Sequence, residues 1–128
     1  MKRRSLQTMF FLSFSLFSAI KASAFGVSNI EIQSDLGDPL KATVKILYRE
    51  DLSADQIHVK HADISVYKQQ GVEYNANYNS LRFIIERDAI IIKTTRPIKE
   101  PYMNFILEFT WPDGRFYKTF EVFLDPAQ

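Results

Sequence analysis

Apolar residues recur at every second position in two neighbouring runs near the C-terminus. Phe105, Leu107, Phe109 and Trp111 share one face of residues 102–111, with Asn104, Glu108 and Thr110 on the other. Phe120, Val122 and Leu124 share a face of residues 116–124, opposed by Tyr117, Thr119 and Glu121. A period of two marks a half-buried strand. Between the runs stands Pro112-Asp113-Gly114-Arg115. Pro presets one turn dihedral, Asp bonds its own backbone and Gly tolerates positive φ, so the whole reads as a β-hairpin. Upstream, Pro97 and Pro101 bracket Ile98-Lys99-Glu100. Prolines lack a backbone donor, which predicts an extended loop or irregular edge here. Asp125-Pro126 ends the last strand.

The same alternation runs through the earlier chain. Ile30 and Ile32 open a first strand within 27–33, and Ser34 to Pro39 is a turn cluster. Leu40, Ala42, Val44, Ile46 and Tyr48 face one way, against Lys41, Thr43, Lys45 and Arg49. Ser53-Ala54-Asp55-Gln56 has capping-box spacing and predicts a helical turn. Ile57 and Val59 predict a short strand. Asp63 and Gly71 frame residues 64–70 as a short helix, although Ile64, Val66 and Tyr67 also favour a strand. Residues 72–80 are polar and Asn-rich and read as a loop. Residues 81–86 and 89–95 form a second hairpin about Arg87-Asp88. About seven short strands with intervening turns predict an all-β fold, an immunoglobulin-like antiparallel β-sandwich with a short helix or helical turn.

Composition changes this picture at the N-terminus. Lys2, Arg3 and Arg4 precede an apolar, Phe-rich run from Met9 to Ile20, and Ala22-Ser23-Ala24 supplies an A-x-A cleavage site. Residues 1–24 therefore read as a signal peptide cut between Ala24 and Phe25, leaving one domain over 25–128. The apolar run is short for a membrane span, which needs about 20 residues. The chain has no Cys, which excludes a disulfide or a lipidated cysteine and leaves the core to hold the fold. Four of the 16 basic residues lie in 1–24 and all 15 acidic residues lie after it, so 25–128 carries a formal charge of −3. That balance gives no electrostatic reason to bind nucleic acid.

Candidate chemistry is sparse. His58-x-x-His61-x-Asp63 offers metal-ligand types, but a strand turns His58 and His61 to opposite faces, and two ligands are too few for structural zinc. The reading is exposed polar residues, with a metal-dependent enzyme as the outlying alternative. Asp35, Asp38, Asp51 and Asp55 occupy turn and cap contexts. Ser34, Ser53 and Ser80 lack a nucleophile elbow. Arg96, Glu100 and Arg115 are candidates for a charged cluster beside the hairpin, and Trp111 for a core anchor rather than a ligand platform. Tyr67, Tyr74 and Tyr78, with Asn75, Asn77 and Asn79, make an aromatic, amide-rich loop of the kind that contacts proteins or sugars, or packs as ordinary tyrosines.

One stretch carries a family resemblance. Pro97-x-x-Glu100-Pro101-Tyr102-x-Asn104-Phe105, Glu108-x-x-Trp111-Pro112-x-Gly114-Arg115 and the closing Asp125-Pro126 resemble the N-terminal domain of the FimV family of pilus-assembly proteins. Ile30-x-Ile32-x-Ser34 and Pro39-Leu40-x-Ala42-x-Val44 agree with it. The resemblance implies a periplasmic, non-enzymatic domain without cofactor or metal, tied to type IV pilus assembly and twitching motility, with envelope or pilus-assembly proteins as partners. It supplies no catalytic residues. In that family a peptidoglycan-binding LysM module, a membrane span and an acidic cytoplasmic region follow the domain. None of these occurs before Gln128, so a free-standing periplasmic adaptor or chaperone is the alternative expectation. In either case the expected contact runs through an exposed sheet edge or the 72–80 loop.

Overall fold

The computed structural model describes residues 25–49 and 51–127. The expected signal peptide, with Ala24, lies outside the described residues. Among the described residues seven strands form: β1 Gly26–Ile32, β2 Pro39–Tyr48, β3 His58–His61, β4 Arg82–Glu86, β5 Ala89–Pro97, β6 Tyr102–Trp111 and β7 Gly114–Phe123. One sheet has the order β1-β2-β5-β4 and the other β3-β6-β7, with every pair antiparallel. These are the strand orders of a constant-type immunoglobulin sandwich, as the alternation predicted. The inward residues Leu40, Val44, Ile90, Ile92, Phe105, Phe109 and Val122 are fully buried between the sheets.

The segment between β3 and β4 departs most from a simple sandwich. Helix α1, Ile64–Gln70, forms despite its β-prone residues because its C-terminal end is closed at Gly71. Asp63 is extended at the cap position, although its side chain makes no capping bond, and Gly71 is left-handed at φ 69°. The Gly71 and Val72 amides return to carbonyls of the last turn. The helix buries Val66 and Tyr67. The 72–80 loop contains a further 3₁₀ turn, Ala76–Ser80, which buries Tyr78. The 3₁₀ turn Ala54–Gln56 is fastened by the Gln56 side chain, which accepts from the Ser53 amide at 2.9 Å.

Strand β6 is consequently not half-buried. Met103 and Phe105 to Phe109 are all buried, on both faces. Ile106 and Glu108 point away from the inter-sheet core, and alternation alone marks that side as wet. Tyr48, placed by alternation on the core face, is 54% exposed. It pairs with Gly26 at the end of β2, and its ring occupies the space a Gly26 Cβ would need.

Candidate functional site

A groove of about 550 Å³ opens at one end of the sandwich. One wall is Asn75–Ser80, the other is Arg96–Glu100, and Met103 and Tyr78 contribute buried surface between them. Both walls are held by specific bonds. Pro39 cannot donate to the β2–β5 ladder, and the register slips beside it. The Thr94 hydroxyl fills the gap, accepting from the Leu40 amide at 2.9 Å and donating to the Arg96 carbonyl at 2.8 Å. The Ile98 amide donates to the Asp38 carbonyl, and the Gly37 amide donates to the Ile98 carbonyl. Gly37 is left-handed at φ 94°, which gives the β1–β2 turn the shape this clasp requires. The Leu124 amide donates to the Pro101 carbonyl, and the Leu36 amide to the Asp125 carbonyl.

The other wall hangs on a relay of tyrosine, histidine and amide. Beyond His61, β3 no longer covers the edge of β6. Tyrosine hydroxyls take over there: Tyr67 accepts from the Ile106 amide at 2.8 Å, and Tyr78 accepts from the Asn104 amide at 3.0 Å. The Tyr67 hydroxyl also meets His61 Nε2 at 2.5 Å, and His61 Nδ1 meets Asn79 Oδ1 at 3.0 Å. Asn79 Nδ2 donates to the Tyr74 hydroxyl at 2.8 Å. This orientation of Asn79 makes its Oδ1 an acceptor, so His61 carries a proton on Nδ1, and burial favours the neutral ring with Nε2 free to accept. Tyr67 then donates to Nε2. Asn75 accepts from the Asn77 amide and Ser80 donates to the Asn77 carbonyl. The wall is thus pre-formed, and the Asn77 side chain and the charges of Arg96, Lys99 and Glu100 line the groove.

The relay has an electrostatic signature. Burial pulls the His61 pKa below its usual 6.5, opposed by the bond to Asn79. Burial pushes the Tyr67 hydroxyl up to about 12, against the bond from the Ile106 amide. Both shifts favour the neutral forms the relay needs.

The sequence candidates are distributed along the whole hairpin. Pro97 and Glu100 line the groove; Pro101 follows them and accepts from the Leu124 amide, while Asp125 and Pro126 clip the segment after β7 to the β1–β2 turn. Phe105 packs in the core against Tyr78 and Phe120. Trp111, Pro112, Gly114 and Arg115 lie at the opposite end of β6 and β7. Trp111 packs on Phe25 and Phe116 as a partly buried core residue, its Nε1 buried without a partner. The turn itself is only Pro112-Asp113, because Trp111 pairs with Gly114. Gly114 does not adopt positive φ; a Cβ there would stand 2.7 Å from the Trp111 ring, so glycine serves close approach.

The expected cluster of Arg96, Glu100 and Arg115 does not form. Arg115 instead reaches Glu108 at 3.5 Å, and Lys60 reaches the other oxygen of Glu108 at 3.2 Å. That buried carboxylate therefore ties β3, β6 and β7 together on the sheet's outer face. His61 is half-buried within the tyrosine group rather than an exposed polar residue, and both its ring nitrogens are engaged. Tyr67 is buried and structural rather than a contact residue, whereas Tyr78, also largely buried, forms part of the groove lining. Thr94 was not legible, since nothing local distinguishes it from Thr95. Among the described residues no three His, Cys, Asp or Glu side chains converge as a metal site.

The fold defines an immunoglobulin-like module with a groove at one end. Residues 25–127 match the FimV N-terminal domain, an Ig-like domain, and the chain belongs to that family. Its relatives include the motility hub protein FimV of two strains of Pseudomonas aeruginosa, each 27% identical over 117 residues. That alignment covers 88% of this chain and 13% of either relative.

Proposed function

We propose that this protein is a non-catalytic binding module of the cell envelope, exported by a leader over residues 1–24 and acting in the periplasm in type IV pilus assembly or twitching motility. The observation that carries the proposal is the family match across 25–127, together with similarity to a motility hub protein. Phe25 supports the processing site: it is buried against Phe109, Trp111 and Phe116, so the folded domain has a use for its first expected residue.

The groove between Asn75–Ser80 and Arg96–Glu100 is the contact surface in this reading. Its walls are pre-organised, which lowers the ordering cost of binding. An apolar floor with a few charges on the rim suits a protein segment. Deletion of the gene in its host, with surface piliation and twitching measured, tests the assignment. Loss of both, restored by the intact gene but not by a Lys99→Glu, Asn77→Arg variant that folds normally, is expected. Unchanged piliation and twitching would overturn it.

A further inference from the structure

Parts of the sheet edges are defended. β1 carries a register shift between Val27 and Ile30, and Lys118 Nζ from β7 donates to the Val27 and Ser28 carbonyls there. The open part of β6 is capped by Tyr67 and Tyr78. β3 presents Lys60 among exposed and half-buried histidines. Bulges, lysines and side-chain caps are the usual means of blocking strand addition. Edge strand β4 has none of them. It pairs only with β5, and Ile84 at its centre is 42% exposed.

The sequence of β4, Arg82-Phe83-Ile84-Ile85-Glu86, is complementary to itself when reversed. About an axis through Ile84, Arg82 faces Glu86 of a second copy and Glu86 faces its Arg82. Phe83 faces Ile85, and Ile84 faces Ile84. The backbone has the parity this pairing requires. The Ile46 amide donates to the Asp88 carbonyl, so even-numbered β5 residues bond β2 and odd-numbered ones bond β4. By the register of β4 with β5, Arg82, Ile84 and Glu86 turn their backbone groups inward. Phe83 and Ile85 are left with amide and carbonyl directed outward. Pairing Phe83 with Ile85 of the other copy makes reciprocal hydrogen bonds on each side of the axis. The Arg82 guanidinium uses one nitrogen on the Asn79 and Leu81 carbonyls, which leaves its other nitrogens for Glu86.

We propose that β4 is a homodimerisation edge, joining two copies antiparallel about Ile84 into one continuous sheet. The occupant is a second copy because the strand supplies both members of every cross-strand pair, as a two-fold interface demands. Such pairs are the unit of sheet stabilisation, and a five-residue edge makes a small interface. The dimer is therefore weak, with a Kd on the order of 100 μM.

Sedimentation equilibrium of the purified protein tests this. R82E and E86R are each expected to weaken self-association at least about tenfold, since each makes both end pairs repulsive. An equimolar mixture of R82E and E86R restores attraction at both ends and is expected to form a heterodimer. Since the protein has no cysteine, I84C supplies a second readout. Facing non-hydrogen-bonded residues lie about 4.5 Å apart, within disulfide reach, so I84C cross-links to a dimer in glutathione buffer while R82C does not. Monomeric behaviour at millimolar concentration, or no recovery in the mixture, or equal cross-linking of I84C and R82C, overturns the proposal.

Discussion

Tyr67→Phe isolates the device that shapes the groove. The ring stays in place, so packing against His61, Tyr74 and Tyr78 is retained and no cavity forms. Only the hydroxyl is lost. The Ile106 amide, on a fully buried residue, is left without its acceptor, and His61 Nε2 loses its donor. Stranding a buried donor costs about 1–3 kcal/mol. In a domain of this size each kcal/mol lowers Tm by roughly 4–8 °C. Equilibrium unfolding in urea is therefore expected to shift in midpoint with an unchanged slope. Tyr74→Phe is the internal control. Its hydroxyl only accepts from exposed Asn79, so that substitution should stay within about 0.5 kcal/mol of the parent. A Tyr67→Phe loss no larger than the Tyr74→Phe loss would refute the edge-capping role.

Three further outcomes follow from the same geometry. Gly114→Ala sets a Cβ 2.7 Å from the Trp111 ring and should destabilise by about 1–3 kcal/mol, read by urea unfolding and by a changed tryptophan emission. Arg87 holds φ 54° in the β4–β5 turn, so Arg87→Gly relieves a left-handed side chain and should stabilise by about 0.5–1 kcal/mol in the same assay. Because the folded chain holds His61 below pKa 6.5, the unfolded chain binds its proton first as pH falls. Stability is then unaffected well above pH 6.5, declines as pH drops through 6.5, and levels off once the folded imidazole also protonates. Urea midpoints measured from pH 8 to pH 5 should follow that course, and His61→Gln should flatten it.

Much of the fold was legible because period-two alternation and turn residues agree in β2, β4–β5 and β6–β7. Helix α1 was legible only as one of two options. Its residues favour a strand, and the left-handed Gly71 with its backbone closure decides the outcome. The groove was half legible. Pro97, Glu100, Pro101 and the Asn-rich loop stood out separately, but the clasp joining Asp38 to Ile98 is a tertiary contact with no local mark. His61 and Thr94 escaped for the same reason. Each bonds groups distant in sequence, so neighbouring residues do not reveal its task. Alternation marks Glu108 only as an outward polar residue, because its two cations come from different strands. The sequence places Gly114 in the turn for its backbone freedom, whereas its lack of a Cβ under Trp111 is what matters.

Site-specific photocross-linking in intact cells tests the central claim most directly. A photoreactive residue at Asn77 probes the groove, and one at Lys45, on the exposed face of β2, serves as the control. The account predicts that the Asn77 probe captures a pilus-assembly protein of the envelope and that the Lys45 probe does not. Identical capture from both positions, or capture from Asn77 of envelope proteins with no pilus component, would contradict it.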